Sequence, residues 1–357
     1  MQHNGQDNDK TIRGLLSVIN ILLLVIGVLL LALLAMPFII YKTGPVAEQK
    51  PSSASPQAIK DTVTYWTAPD INSIADLKLK QQVEYGKELI AHTAKYLGPH
   101  GSVQKMSNGM NCQNCHLQAG TVVFGNNYGS VASLYPKFRA RSGAVESIYK
   151  RVNDCFERSL NGKALDSGGK EMQAIKAYIY FVGSNVAKGQ KAPGSGFKEL
   201  AYLDRAADPA KGQVVFTTRC QSCHQASGEG VLNTDKTEFT YPPLWGNSSF
   251  NDGAGLYRIS TFTKYIKYNM PQGTTHQSPQ LSDEEAWDVA AFVLSQQRPH
   301  IAVPDDWHDI STKPIDHPFG PYADAFTEMQ HKYGPFKPIL EEQKKANETA
   351  GKATTKK

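Results

Sequence analysis

Two short runs, CQNCH at 112–116 and CQSCH at 220–224, commit four of the five cysteines in this chain. Thiols three residues apart can form thioethers to both vinyl groups of a haem, and the histidine that follows is placed to bind the iron from one side. A redox dithiol or half of a zinc site needs no histidine directly after the second cysteine, and here the histidine appears in both runs. Cys112, Cys115, His116, Cys220, Cys223 and His224 are therefore read as attachment sites for two covalently bound haem c groups, with His116 and His224 on the iron. A disulfide framework is excluded, because the thioethers consume the pairs and one odd thiol, Cys155, remains.

The chain also repeats itself. KEMQAIKAYIYFVGS at 170–184 and EEAWDVAAFVLSQ at 284–296 carry apolar residues at helical spacing. With Glu171 laid on Glu285, Ile175 falls on Val289, Ala177 on Ala291, Tyr178 on Phe292 and Ile179 on Val293. Upstream, YGKELI at 85–90 resembles KGQVVF at 211–216, each ahead of its C-x-x-C-H run. Helix, haem motif, loop and terminal helix occur twice in that order, which is the plan of a small all-helical cytochrome c domain.

Such domains bind the far side of the iron with a loop residue, commonly Met followed by Pro. YNMPQG supplies Met270 and Pro271 at that place in the second half, a core methionine being the other reading. The same register sets Met270 opposite Phe156, one residue from Cys155, and no Met-Pro exists in the first half. Met172 falls inside the terminal helix and is read as core packing. The repeat nominates Cys155 as distal ligand of the first haem, against the alternative of an inert buried thiol.

No charged residue occurs from Gly14 to Tyr41, which exceeds the roughly 20 apolar residues that cross a bilayer. An uncleaved anchor is expected over a cleaved signal peptide, whose apolar region is shorter and ends in a small-residue cleavage site. Lys10 and Arg13 weakly favour a cytoplasmic amino terminus. Attachment of c-type haem occurs outside the bacterial cytoplasmic membrane, so a single-pass membrane protein with periplasmic domains is expected. The Pro/Ser-rich stretch after the anchor reads as a spacer and the polar, basic end as an unstructured tail. The net charge of +5 is too mild to argue for nucleic acid.

The expected fold class is all-α: two tandem cytochrome c-like domains preceded by one transmembrane helix. The boundaries are 1–13 cytoplasmic, 14–41 anchor, 42–57 spacer, 58–195 first cytochrome c domain, 196–300 second, 301–346 wrapping extension and 347–357 tail.

LYPKFRARSG at 134–143, RVNDCFERSLNGK at 151–163, YPPLWG at 241–246, YNMPQG and KPIDHPFGPYAD at 313–324 together resemble the dihaem thiosulfate dehydrogenases. That resemblance implies oxidation of two thiosulfates to tetrathionate, possible also in reverse, at a His116/Cys155 haem, with electrons leaving through a His224/Met270 haem. Some members carry Lys before the loop methionine; here it is Asn269, with Lys264 and Lys267 nearby. Arg141 and Arg151, followed by Ser159 and Lys163, are the expected substrate-binding residues, while Arg139 and Arg158 are open to packing or propionate roles. From Lys137 to Lys163 the chain carries seven basic residues against three acidic, which suits a dianionic substrate. A thiolate ligand lowers a haem potential and a methionine raises it. The expected mechanism has Cys155 leave the iron, take the outer sulfur of one thiosulfate, and yield it to a second. The expected electron acceptor is a small cytochrome c or a terminal oxidase. A membrane-tethered dihaem electron carrier without its own substrate is the competing reading.

Overall fold

In this computed structural model the described residues are 14, 16–17, 19–31 and 64–354. Residues described between 14 and 31 are helical, with exposed apolar side chains such as Leu22, Leu24 and Leu31. Among the described residues, no helix is long and apolar enough to cross a membrane. Residues 32–41 of the expected anchor and the whole expected spacer, 42–57, lie outside the described residues.

From Val63 onward the chain clusters as one unit. Its longer helices are α1 (Leu77–Ala91), α2 (Ile148–Asp154), α3 (Lys170–Val182), α4 (Pro209–Arg219), α5 (Ile259–Asn269), α6 (Asp283–Ser295) and α7 (Lys337–Thr354). Their starts are written in the sequence. Asp76 accepts from the Lys78 and Leu79 amides to cap α1, and Asp208 does the same for α4, with Pro209 in its first turn. Ser282 and Glu285 form a reciprocal capping box at α6.

The internal repeat is built into helix crossings. A Cβ on Gly86 of α1 would lie 2.0 Å from the Ala174 carbonyl oxygen of α3 and 2.8 Å from Tyr178 Cβ. A Cβ on Gly212 of α4 would lie 1.9 Å from the Asp288 oxygen of α6 and 2.8 Å from Phe292 Cβ. In the register that pairs Glu171 with Glu285, Ala174 falls on Asp288 and Tyr178 on Phe292, so both crossings use the same glycine against the same two positions. Met172, Ile175, Tyr178 and Ile179 are buried on α3, and Ala286, Val289, Ala290 and Val293 on α6. Cores of this kind form when each amphipathic helix covers its apolar stripe with the other.

The described residues are mostly helical, in keeping with the all-α expectation. Two antiparallel hairpins interrupt the helices: β1 (Lys137–Arg139) with β2 (Ala144–Glu146), and β3 (Val231–Leu232) with β4 (Phe239–Tyr241). The first is the KFRARSG stretch, whose tight tip uses Gly143 at φ 63. At the C-terminal end α7 runs to Thr354. Its Lys, Glu, Gln and Ala residues are good helix formers, so a polar composition does not prevent helix there.

The stretch from 301 to α7 touches both halves. Asp306 pairs bidentately with Arg158 at 2.7 and 2.8 Å, and the Trp307 amide donates to the Arg141 carbonyl. Buried Asp316 accepts from Arg258 at 2.5 Å and from Ser260 Oγ at 2.5 Å.

Candidate functional site

Helix α2 begins at its Ser147 cap and ends at Cys155. The chain then widens into one π turn, Cys155–Ser159, in which the Leu160 amide donates to the Cys155 carbonyl at 2.9 Å. Such π turns recur at functional positions because they re-aim a side chain at the end of a helix. In the second half α5 ends at Met270 in the corresponding place. Cys155 and Met270 are thus each the residue that caps the helix after its haem motif. In the register that pairs Glu171 with Glu285, Cys155 falls one residue from the position of Met270.

Cys155 lines a largely apolar cavity of about 190 Å³ with Cys112, Cys115, His116, Arg151 and Ser159. His116 Nδ1 donates to the Asn126 carbonyl at 2.6 Å, leaving Nε2 as the lone-pair nitrogen, and its ring stacks on Tyr128 at 4.6 Å. Burial pushes His116 down to about 4, so the imidazole is neutral and able to bind a metal. Burial also pushes the Cys112 and Cys115 thiols up to about 12. A dry pair of neutral thiols beside an oriented histidine suits thioether attachment of a haem.

Arg151 Nη1 donates to Cys155 Sγ at 3.1 Å. Arg151 is held well above its ordinary range, chiefly by the negative charge that Cys155 can carry, with burial opposing. A guanidinium offers the sulfur a charge-assisted donor.

The second cavity, about 70 Å³, is lined by Cys220, His224, Met270 and mostly apolar residues. His224 Nδ1 donates to the Pro242 carbonyl at 2.8 Å, which repeats the orientation seen at His116. Lys267 Nζ is taken by the Leu281 carbonyl and by Asp283, and Lys264 pairs with Glu199 at 2.5 Å. Met110 and Cys115 line both cavities. Tyr265, in the wall of the second, donates to the Asn114 carbonyl inside the first motif at 2.6 Å. The two haem sites therefore adjoin.

The remaining candidates separate. Arg141 does not line the first cavity; it borders a neighbouring one with Asp306 and His317, and stands 5.7 Å over Trp307. Burial and the Arg158 charge push it down to about 10. Arg158 is locked to Asp306. Lys163 is exposed and outside the cavity lining, and Met172 is fully buried in the core. Asn126 and Tyr128, which orient His116, were not singled out from the sequence; only their position shortly after the first motif hinted at them. Pro242, which holds His224, lies in the YPPLWG run.

Residues 102–187 match the SoxA/TsdA cytochrome c domain and residues 209–297 match cytochrome c. A thiosulfate dehydrogenase of Psychrobacter arcticus is 37% identical over 242 residues, 67% of this chain and 70% of that protein. Another, of Allochromatium vinosum, is 35% identical over 237 residues, 65% of this chain and 84% of that protein. One from Thiomonas intermedia is 33% identical over 253 residues, 71% and 77% of the respective chains. Among solved structures, thiosulfate dehydrogenase (TsdBA) from Marichromatium purpuratum superimposes with TM-score 0.61 at 29% identity over 66% of this chain. The chain spans about half the length of that solved protein, 50%. Two cytochrome c domains bring two covalently bound haem c groups, and with relatives at this identity and coverage the chain belongs to the dihaem thiosulfate dehydrogenase family.

Proposed function

We propose that this oxidoreductase joins two thiosulfates into tetrathionate at Cys155. The observation that carries the reading is the Arg151–Cys155 contact of 3.1 Å inside the cavity of the first haem motif. A pure electron carrier has no use for a cation-supported thiol at that place.

Haems bound on the two motifs would supply one-electron acceptors, the first held by Cys112, Cys115 and His116 with Cys155 in the same cavity, the second by Cys220, Cys223 and His224 with Met270 in the same cavity. Cys155 thiolate and the outer sulfur of one thiosulfate form an S–S bond, giving Cys–S–S–SO₃⁻ and releasing two electrons. The outer sulfur of a second thiosulfate then attacks the sulfur next to the sulfonate. The Cys155–sulfur bond breaks, its electron pair returns to the thiolate, and S₄O₆²⁻ leaves. Arg151 stabilises Cys155 as nucleophile and as leaving group, and its free N–H groups offset the charge of the incoming sulfonate. Ser159, in the same lining, offers a hydroxyl donor to that oxyanion. Arg141 and Lys163 add positive charge at longer range. The commitment of Lys267 and Lys264 to other partners favours Met270 as a steady partner of the second haem.

The uncharged run from Gly14 to Tyr41 supports a membrane-tethered enzyme with its haem domains in the periplasm, delivering electrons to a cytochrome c or terminal oxidase. The test is to add thiosulfate alone to the oxidised holoenzyme while following haem absorbance and assaying tetrathionate. Haem reduction with one tetrathionate per two electrons supports the reading. Haems that stay oxidised, while exchanging electrons rapidly with a small cytochrome c, would make this a tethered carrier.

A further inference from the structure

Arg298 packs on Phe250 and Val293, two residues that line the second cavity, with half of its guanidinium unanswered. Its Nη2 donates to the Val293 carbonyl in the last turn of α6 at 2.7 Å. Its flat face lies 4.4 Å from the Phe250 ring centroid and 5.0 Å from that of Tyr257. Phe250 and Val293 both line the cavity that holds Cys220, His224 and Met270. The other two nitrogens, Nε and Nη1, are buried without any hydrogen-bond partner.

A guanidinium cannot shed its proton to escape burial, so a buried N–H edge needs an acceptor. The nearby carboxylate that favours the charged form, Asp252, is committed elsewhere: Oδ2 accepts from His300 Nδ1 at 2.6 Å and Oδ1 from the Ile301 amide at 3.0 Å. Burial accordingly pushes Arg298 down to about 10. The cavity has the complementary need. A haem c carries two propionate carboxylates, and this pocket is walled almost wholly by apolar side chains. A planar fork is the side chain best shaped to take a carboxylate there.

We propose that Nε and Nη1 of Arg298 hold a propionate of the haem on the Cys220–His224 motif, and that this pair keeps the propionate ionised and the potential of that haem nearly independent of pH. The proposal rests on the reading that this cavity holds a haem. Arg298 is a positioning residue: it touches neither thiosulfate nor Cys155. Its positive charge favours the reduced haem, and holding the propionate ionised removes a proton that would otherwise be released on oxidation.

The test is a redox titration of the full-length holoenzyme across neutral pH for wild type, Arg298→Gln and Arg298→Lys. In Arg298→Gln the potential of the methionine-side haem is expected to fall as pH rises through neutrality, while wild type and Arg298→Lys stay nearly flat and the Cys155-side haem is unchanged. An Arg298→Gln enzyme with wild-type potential and wild-type pH slope would reduce Arg298 to a cap on α6 and overturn the proposal. Redox-difference infrared spectra of wild type and Arg298→Lys, with isotope-labelled propionate carboxyls, provide a check that does not depend on the glutamine variant folding. A displaced carboxylate band is expected, and superimposable bands would count against the pair. Haem content by pyridine haemochrome separates the premise: one haem per chain overturns both readings, whereas two haems with unmoved potentials overturn only the role of Arg298.

Discussion

Arg151 Nη1 sits 3.1 Å from Cys155 Sγ, one helical turn earlier on the same element. That i, i+4 spacing puts both side chains on one face, Arg151 in the last turn of α2 and Cys155 at its C-cap, where the π turn begins and Cys155 lines the cavity shared with His116. Cys155 and its guanidinium partner thus come from one local segment. The buried Asn251 fixes that segment from the other half of the protein, donating to the Glu157 carbonyl at 2.8 Å and to Asn161 Oδ1 at 3.0 Å.

Cys155→Gly removes the sulfur while leaving the attachment cysteines untouched. Thiosulfate oxidation is expected to fall by at least about 10³-fold, as when a nucleophile is deleted. The holoprotein should still carry two haems, and steady-state turnover beside a haem assay checks both.

Arg151→Gln loses the charge-assisted hydrogen bond to the thiolate, an interaction of about 1.5–3 kcal/mol. The expected cost is about 10- to 100-fold in kcat/KM for thiosulfate, with Arg151→Lys in between because it keeps charge but not the fork. Unchanged kinetics in the glutamine variant would remove Arg151 from the site.

Gly86→Ala and Gly212→Ala each drive a methyl into a backbone oxygen at 2.0 and 1.9 Å. Each is expected to destabilise by about 1–3 kcal/mol in denaturant unfolding, the usual range for overpacking. Gly255→Ala, where nothing lies within 4 Å, serves as the neutral control.

His317 gives the extension a pH dependence. Burial, followed by the positive charge of Lys313 and then of Arg141 and Arg258, pushes it down from 6.5 to about 4. Its folded value lies below its unfolded value, so the unfolded chain binds the extra proton first. Stability is complete above pH 6.5 and is lost as pH falls toward about 4. His317→Gln should flatten the decline of Tm over that window, read by calorimetry at several pH values.

Much of this organisation was legible in the chain. The two C-x-x-C-H runs, the paired terminal helices and the equivalent places of Cys155 and Met270 follow from local spacing, and Gly86 and Gly212 fall at the crossings that the repeat implies. The placement of Arg141 was not legible. Its neighbours Asp306 and Trp307 come from more than 160 residues downstream, and no local pattern announces such a pairing. The hairpin at 137–146 was hidden in a segment dominated by charge, where Phe138 and Val145 pair across strands yet remain exposed. Arg298 was overlooked for a similar reason: its role depends on what three dimensions leave unpaired.

The most direct measurement is the low-temperature electron paramagnetic resonance spectrum of the oxidised holoenzyme beside that of Cys155→Gly. A thiolate-ligated low-spin signal and a His/Met signal are expected in the wild type, with only the thiolate signal lost in the variant. Two His/Met-type signals that are the same in both proteins would contradict that ligation and leave Cys155 a core thiol.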